Sequence, residues 1–192
     1  TTVALDLSYG RRRLLHSRAA AALLAARSDD VAALAHHFEQ ADEPQRAAVY
    51  ALRAGERARD VYAHGEARAY FDRALALLRR ETARLRDPAE TAANQRLQLQ
   101  ALEERGWAFR LLGEMEAYAR DSQEVARLAA LLGDGATLAK LRRREAYTHR
   151  WFCRYGEARV AAEACVRLCQ ASGDRRTEAL CRREVGLAAR ET

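Results

Sequence analysis

Small and apolar residues recur along the second half of the chain at a constant interval. When the sequence is shifted by 40 residues, glycine and alanine fall on small residues, and Arg110 falls on Arg150 and Arg190. The matching stretches are 104–110, 144–150 and 184–190 in the first half of the unit, and 125–128 and 165–168 in the second half. A fixed period of this length predicts stacked helical hairpins, each of which buries its apolar face only against a neighbour.

Capping residues divide the pattern into separate helices. Asp87, Pro88 and Glu90 supply an N-cap, a proline at the first helical position and a capping-box glutamate. Similar signals stand at four further junctions, namely Ser28 or Asp29, Asp42 with Pro44, Gly133 with Asp134, and Gly173 with Asp174. The predicted helices are 11–26, 29–41, 44–62, 64–84, 88–112, 114–132, 135–153, 155–172 and 175–190.

Residues without bulk stand in the middle of several predicted helices. Gly106, Ala146 and Gly186 occupy the same place in successive units. A glycine inside a helix costs about 1 kcal/mol relative to alanine, so we expect a second helix to approach closely at these positions. Ala67 and Ala158 are the expected small partners on the second helices.

One unit, 48–81, carries a recognisable order of residues. Gly55 is followed by Ala67, by the aromatic Phe71 and by Ala74 and Leu75. This order resembles the tetratricopeptide repeat, whose two antiparallel helices pack through such small positions. The resemblance implies an all-α, right-handed α-solenoid of helical hairpins, with units at about 11–41, 48–81, 99–132 and 139–172 and a partial unit at 179–192.

Two departures from the repeat pattern are visible. Tyr118 stands where the alanine of the second helix belongs, with Ala117 one residue early. The units also run to about 40 residues, compared with about 34 in the common form. We therefore expect longer helices and a less regular array.

The composition favours helices over sheets. The chain has 192 residues, 49% of them apolar, and alanine, leucine, arginine and glutamate dominate. Isoleucine is absent and threonine is sparse, which weighs against an extended sheet. No apolar run approaches the roughly 20 residues that cross a bilayer, so we expect a cytoplasmic protein without a membrane partner.

The net charge of +6 raises the question of an anionic partner. Nearly all the positive charge is arginine, with Lys140 the single lysine, and glutamates are spread among the arginines. Because no basic stripe or nucleic-acid motif is set apart, we do not expect direct nucleic-acid binding. The chain does not begin with methionine, so we expect a fragment of a longer protein.

The N-terminal region carries a second resemblance. Residues 7–16 and 35–41 resemble the segment of large bacterial regulators in which an ATPase module is followed by helical repeats. These regulators are multidomain signal-transduction ATPases, often transcriptional activators, whose repeats sense an inducer or a partner. The resemblance covers about 1–80 and implies a neighbouring ATPase domain in the parent chain. Residues 1–10 are then a linker or a remnant of that domain, and Val3, Leu5 and Leu7 alternate as a short strand would.

Cysteines and histidines could indicate metal binding. Cys165 and Cys169 lie one helical turn apart, a spacing that could seat a metal. The 40-residue shift aligns all four cysteines with small or apolar residues, so we expect structural thiols that pack in the core, Cys153 included. His36 and His37 point about 100° apart on a helix and do not suit one metal. We therefore predict no metal, no cofactor and no catalytic residue.

A ladder of arginines beside aromatic residues is the strongest candidate binding feature. Arg59, Arg110, Arg150 and Arg190 each follow a small residue by four positions in a first helix. In tetratricopeptide arrays these first-helix positions line the concave groove. The candidate groove residues are Arg59, Trp107, Arg110, Arg143, Tyr147, Arg150, Trp151 and Arg190.

Two functions from different classes fit these observations. The first is a non-catalytic interaction or sensor domain that binds a protein or peptide segment, preferably acidic, through arginine forks and cation–π contacts. The second is an array that senses a small-molecule inducer at Trp107, Tyr147 and Trp151 and controls an attached ATPase. A helical enzyme is a remote third, and a homodimer through 175–192 is a further expected interaction.

Overall fold

The computed structural model describes residues 8–190, and these residues form nine α-helices without a strand. The all-α prediction is confirmed, and each predicted boundary lies within two residues of the observed one. The helices are α1 (Tyr9–Ala25), α2 (Val31–Gln40), α3 (Pro44–Asp60), α4 (His64–Thr82), α5 (Pro88–Leu112), α6 (Met115–Leu131), α7 (Gly135–Trp151), α8 (Tyr155–Ser172) and α9 (Arg175–Arg190). The alternation at Val3, Leu5 and Leu7 lies outside the described residues.

Side-chain caps fix several helix starts. Asp87 accepts a hydrogen bond from the Ala89 amide at 3.2 Å, and Asp134 accepts one from the Thr137 amide at 3.0 Å, as the sequence predicted. The cap of α2 differs from the prediction, because Asp30 accepts the bond from the Ala33 amide at 2.8 Å. Neither Ser28 nor Asp29 is therefore the N-cap of this helix.

The start of α3 also differs from the prediction. Pro44 is the first helical residue, as expected, but Glu43 precedes it as N-cap and makes no side-chain cap. Asp42 has a φ of +58° and ends the turn after α2. This left-handed conformation closes the preceding helix, so Asp42 does not start the next one.

Left-handed residues close other helices as well. Gly113, Gly133 and Gly173 have φ values of +77°, +67° and +75°. Glycine adopts this conformation without the steric cost that a Cβ brings. Tyr62 and Cys153 stand at the same kind of junction with φ values of +62° and +55°, although they carry side chains. Cys153 is exposed, so the prediction that it packs in the core is wrong.

The chain divides into two compact units, and the division falls between Asp121 and Ser122, inside α6. In the first unit each helix from α1 to α5 packs against the next, and α3 also contacts α5. In the second unit α7 packs on α8, α8 on α9, and α7 also contacts α9. Contacts between one helix and the second helix after it are typical of stacked hairpins, in which first helices lie beside first helices.

The first unit has its core around α4. Phe71, Ala74, Leu75 and Leu78 are fully or almost fully buried, as is Ala67. The α5 face is tied to this core by Thr82, Asn94 and Gln98, whose side chains bond to one another at 2.6–3.1 Å. Burial of the repeat-pattern residues supports the close packing that the order of small residues predicted.

An ion network joins three helices of the first unit. Arg105 on α5 donates to both oxygens of Asp121 on α6 at 2.8 and 2.6 Å, and to Asp72 on α4 at 2.6 Å. The side chain of Arg105 is only 15% exposed. A bidentate arrangement of this kind compensates the cost of burying the guanidinium.

The second unit has two buried clusters. Ala139, Cys165, Cys169 and Cys181 form the first, with Val166 and Leu168 packed against it. The second contains Ala146, Ala161 and Ala162, with Val185 against it. Within residues 8–190, no helix combines the length and the apolar character that a bilayer crossing requires.

Candidate binding surface on helix α7

Two exposed aromatic residues of the second unit lie on one face of α7. Tyr147 is 50% exposed and Trp151 is 71% exposed. Arg143, Tyr147 and Trp151 are spaced by four residues, so their side chains follow one another along the helix. We call these three residues the α7 stripe.

The two rings of the stripe lie beside each other. Their centroids are 6.4 Å apart and their planes differ by 25°. The guanidinium carbon of Arg150 lies 5.5 Å from the centroid of the Tyr147 ring, within cation–π range. The stripe thus presents an apolar surface together with positive charge, because the side chain of Arg143 is also exposed.

The aromatic surface extends beyond the end of α7. Phe152 is 63% exposed, and the guanidinium carbon of Arg154 lies 5.6 Å from its ring centroid. The sequence interpretation did not include Phe152, because the 40-residue register places it opposite Leu112, an ordinary apolar position. Solvent exposure at a helix end is the feature that distinguishes it.

Two arginines of the predicted ladder hold neighbouring first helices together. Arg59 on α3 donates from Nη1 to Glu104 on α5, and Arg150 on α7 donates from Nε to Glu184 on α9 at 3.0 Å. Each arginine stands four residues after a small residue, and each glutamate stands two residues before the small residue of the next first helix. The same ion pair therefore recurs at the same repeat position in both units.

These contacts change the interpretation of the ladder. The side chains of Arg59 and Arg150 are each 29% exposed, and their forks are engaged by carboxylates. The glutamate partners could have been found from sequence, since the 40-residue register aligns Glu104 with Glu184. Arg110 has no such glutamate in the register, because Arg144 occupies the position that Glu104 and Glu184 hold for the other two arginines. Arg110 instead lies with its guanidinium carbon 5.6 Å from the ring centroid of Tyr118.

The remaining predicted residues lie in separate places. Trp107 on α5 is 36% exposed, and its ring contacts the ring of His64 edge-on with 5.2 Å between the centroids. Tyr62 lies next to His64, with ring centroids 6.1 Å apart. Arg190 is exposed near the end of α9. Trp107 belongs to the first unit, and the stripe residues and Arg190 belong to the second.

A histidine cluster in the first unit was missed. His16 on α1 lies 2.8 Å from His37 on α2, Nδ1 to Nδ1, and the ring of His36 lies 5.7 Å from that of His16. Burial lowers the pKa of His16, and the charges of His37, His36 and Arg12 lower it further. His36 and His37 are adjacent in the sequence, but the sequence does not show that a residue about twenty positions earlier meets them.

The cysteines depart from the expected free thiols. Cys165 and Cys181 are joined in a disulfide, so the prediction of structural thiols is wrong for this pair. Cys165, Cys169 and Cys181 are buried, as expected. Their sulfur atoms lie within 4.8 Å of one another, a group the register argument did not anticipate.

Comparison with known proteins adds no family assignment. No protein-family model matches the chain, and no curated protein matches it.

Proposed function

We propose that the chain is a non-catalytic helical-repeat domain that binds an acidic protein segment on its first helices. The observation that carries this proposal is the α7 stripe, in which the exposed Arg143 precedes the exposed rings of Tyr147 and Trp151 by four and eight residues on one helix. Aromatic residues and arginine are the side chains that contribute most to binding energy at protein interfaces. Adjacent exposed rings on one face of a helix are typical of an interaction site, because a partner that covers them removes apolar surface from water.

The chemistry of the stripe indicates what kind of segment fits. Arg143 supplies a planar fork for a carboxylate, and the ring pair supplies an apolar surface for an aliphatic or aromatic side chain. The net charge of +6 steers acidic chains towards the protein. Arg150 contributes by fixing Tyr147 and the α7–α9 contact, because its own fork is occupied by Glu184.

The wider setting follows from the resemblance of residues 1–80 to bacterial multidomain regulators. In this proposal the domain is a cytoplasmic, right-handed tetratricopeptide-like sensor arm attached to an ATPase that takes part in transcriptional regulation. Binding at the stripe would regulate the attached ATPase by favouring one of its two conformational states. The translated sequence on either side of residues 1 and 192 tests this part, since a phosphate-binding loop upstream supports it and its absence there counts against it.

A binding titration tests the proposed surface directly. The probe is a fluorescein-labelled peptide of alternating glutamate and leucine with a free C-terminal carboxylate, followed by fluorescence anisotropy. We expect Trp151→Ala and Arg143→Ala to weaken binding about tenfold each. Val160→Ala is the control, because Val160 is an equally exposed apolar residue on α8.

Three outcomes count against the proposal. The stripe variants could bind as the unmodified chain does, or a glutamine version of the peptide could bind as well as the acidic one. The chain could also be a dimer in size-exclusion chromatography that Trp151→Ala converts to a monomer. That last result would assign the stripe to a homodimer interface.

A second candidate function has one observation in its favour. An open cleft of about 480 Å³ lies between α8 and α9 and could hold a small-molecule inducer. Its lining residues are Glu163, Val166, Arg167, Arg182, Val185 and Gly186. Val185→Trp would fill the cleft, so abolition of inducer binding by this variant, with peptide binding retained, would favour this alternative.

A further inference from the structure

Three cysteines form a closed group of sulfur atoms in the second unit. Cys165 and Cys169 lie one turn apart on α8, Cys181 lies on α9, and none of the three is exposed to solvent. The sulfurs of Cys165 and Cys169 are 3.9 Å apart, and all three sulfurs lie within 4.8 Å of one another. A disulfide between two helices needs two cysteines, so the third sulfur at the same place calls for an explanation.

We propose that the reduced form of this group, with Cys165, Cys169 and Cys181 as thiols, is a three-sulfur site for a trivalent thiophilic element, arsenic(III) or antimony(III). Thiolates are soft ligands and select soft acceptors. The two helices supply three sulfurs to one place. Three sulfurs suit an acceptor that takes three ligands and carries a lone pair in place of a fourth. The inference concerns a site separate from the α7 stripe and stands independently of the proposed function.

The number of ligands argues against zinc as the occupant. Structural zinc sites are closed by four protein ligands. Among residues 8–190, the group of histidine, cysteine and carboxylate side chains close enough to share an ion consists of these three cysteines alone. A fourth donor for a tetrahedral ion is therefore not supplied by the described side chains.

The electrostatics of the site favour a neutral complex. Cys165, Cys169 and Cys181 are each completely buried, so a charge on the sulfurs would be removed from water. The site thus opposes negative charge. Three thiolates leave one negative charge with a divalent ion and two with a monovalent ion, whereas a trivalent element gives a neutral product. Since burying an uncompensated charge is costly, the trivalent acceptor fits best.

The binding reaction balances without a redox step. Arsenous acid, As(OH)₃, exchanges its three hydroxyl groups for three thiols. Three As–O bonds and three S–H bonds break, three As–S bonds form, and each thiol proton leaves with a hydroxyl as water. The Cys165–Cys181 disulfide must first be reduced by a phosphine or a dithiol, which supplies two electrons and is itself oxidised while two protons complete the thiols.

Native mass spectrometry of the full chain tests the proposal. The chain is reduced with a phosphine and incubated with sodium arsenite to equilibrium, because the buried sulfurs react only when α8 and α9 separate locally. We expect one arsenic per chain with loss of three protons from the protein. Absorption at the arsenic K-edge should show three sulfur neighbours around arsenic.

Single substitutions identify the ligands. Cys169→Ser leaves Cys165 and Cys181 as a dithiol, so it separates a three-sulfur site from simple dithiol capture. We expect this variant and Cys181→Ser to lower the affinity for arsenite at least about tenfold. Cys153→Ser is the control and should bind as the unmodified chain does, because that exposed thiol lies outside the group.

Three results would overturn the proposal. These are unchanged affinity in Cys169→Ser, two sulfurs and one oxygen around arsenic in the unmodified chain, and displacement of arsenic by stoichiometric zinc. The absorption measurement uses the unmodified chain, so the proposal stays testable if a serine variant fails to fold.

Discussion

The ring of Phe71 on α4 occupies the space in which a side chain at Gly55 on α3 would lie. A Cβ at position 55 would stand 2.8 Å from Cδ1 and Cζ of the ring and closer still to Cε1. Phe71 is completely buried, so the ring has no free space into which it could move. The α3–α4 contact therefore requires glycine at position 55.

This contact predicts opposite effects for two glycine substitutions. Gly55→Ala should lower the free energy of unfolding by about 1–3 kcal/mol, because the added methyl overpacks the core. Gly186→Ala is the matched control in another first helix, where an added Cβ meets no atom within 4 Å. It should raise the free energy by up to about 1 kcal/mol through helix propensity. Urea unfolding followed by circular dichroism gives both values, and equal effects of the two substitutions would contradict the assignment.

The turn after α7 predicts a stabilising substitution. Cys153 holds a left-handed conformation that glycine adopts with less strain. Cys153→Gly should therefore raise the free energy of unfolding by about 0.5–1 kcal/mol. Gly113→Ala should lower it by a similar amount, since Gly113 has the same conformation after α5. If Cys153→Ser stabilises as much as Cys153→Gly, the loss of the thiol and not the backbone explains the effect.

The repeated arginine–glutamate pair predicts a measurable coupling energy. In a double-mutant cycle, Arg150→Ala and Glu184→Ala should couple by about 1 kcal/mol, because both side chains are mostly buried. The comparison pair Arg159 and Glu163 is more exposed and lies four residues apart on α8, so its coupling should be about 0.3–0.5 kcal/mol. Equal coupling energies would mean that the α7–α9 pair contributes no more than a surface pair.

The histidine cluster predicts a dependence of stability on pH. The pKa of His16 is lowered in the folded chain, chiefly by burial. The unfolded chain therefore binds more protons at this site, and stability rises with pH. The contribution of His16 is fully present above its unfolded pKa of about 6.5 and is lost as the pH falls below that value.

His16→Gln tests this dependence. The urea midpoint of the unmodified chain should fall between pH 7.5 and pH 5.5, and the variant should show a smaller fall. His149→Gln is the comparison variant, because His149 does not belong to the cluster of His16, His36 and His37. A pH dependence that His16→Gln leaves unchanged would assign the effect to other groups.

The sequence was sufficient for the helices because their signals are local. Asp87 before Pro88, and glycine before Asp134 and Asp174, mark boundaries through bonds within a few residues. The tetratricopeptide-like order of residues in unit 48–81 also marked Ala67 and Phe71 as packing positions, and both are buried. These features depend on the chain near each residue, which the sequence displays directly.

The close approach expected at the mid-helix glycines depends on packing and was only partly correct. Ala146 is buried in a cluster with two other alanines, as expected. An added Cβ at Gly106 would make only an ordinary contact with Tyr118 at 3.4 Å, and at Gly186 it would meet open space. Close approach is therefore not required at Gly106 or Gly186. A glycine in a sequence shows that no side chain is present but not whether a neighbour fills the space.

The binding features were the least predictable part. Arginines at equivalent repeat positions could bind a partner protein or pair with a neighbouring helix of the same chain. The contacts of Arg59 and Arg150 with glutamates show that these two arginines pair within the chain. The meeting of Cys181 with Cys165 depends on how α9 lies on α8. Such long-range geometry is not encoded in any short window of residues.

Tryptophan fluorescence tests the central claim most directly. Trp107 and Trp151 are the two tryptophans of the chain, so Trp107→Phe leaves Trp151 as the single reporter on the stripe. On titration with an unlabelled form of the acidic peptide, we predict a blue shift of emission as the exposed indole loses water, and Trp151→Phe should show no such shift. If emission from Trp151 stays unchanged while the peptide binds, the stripe is not the binding surface.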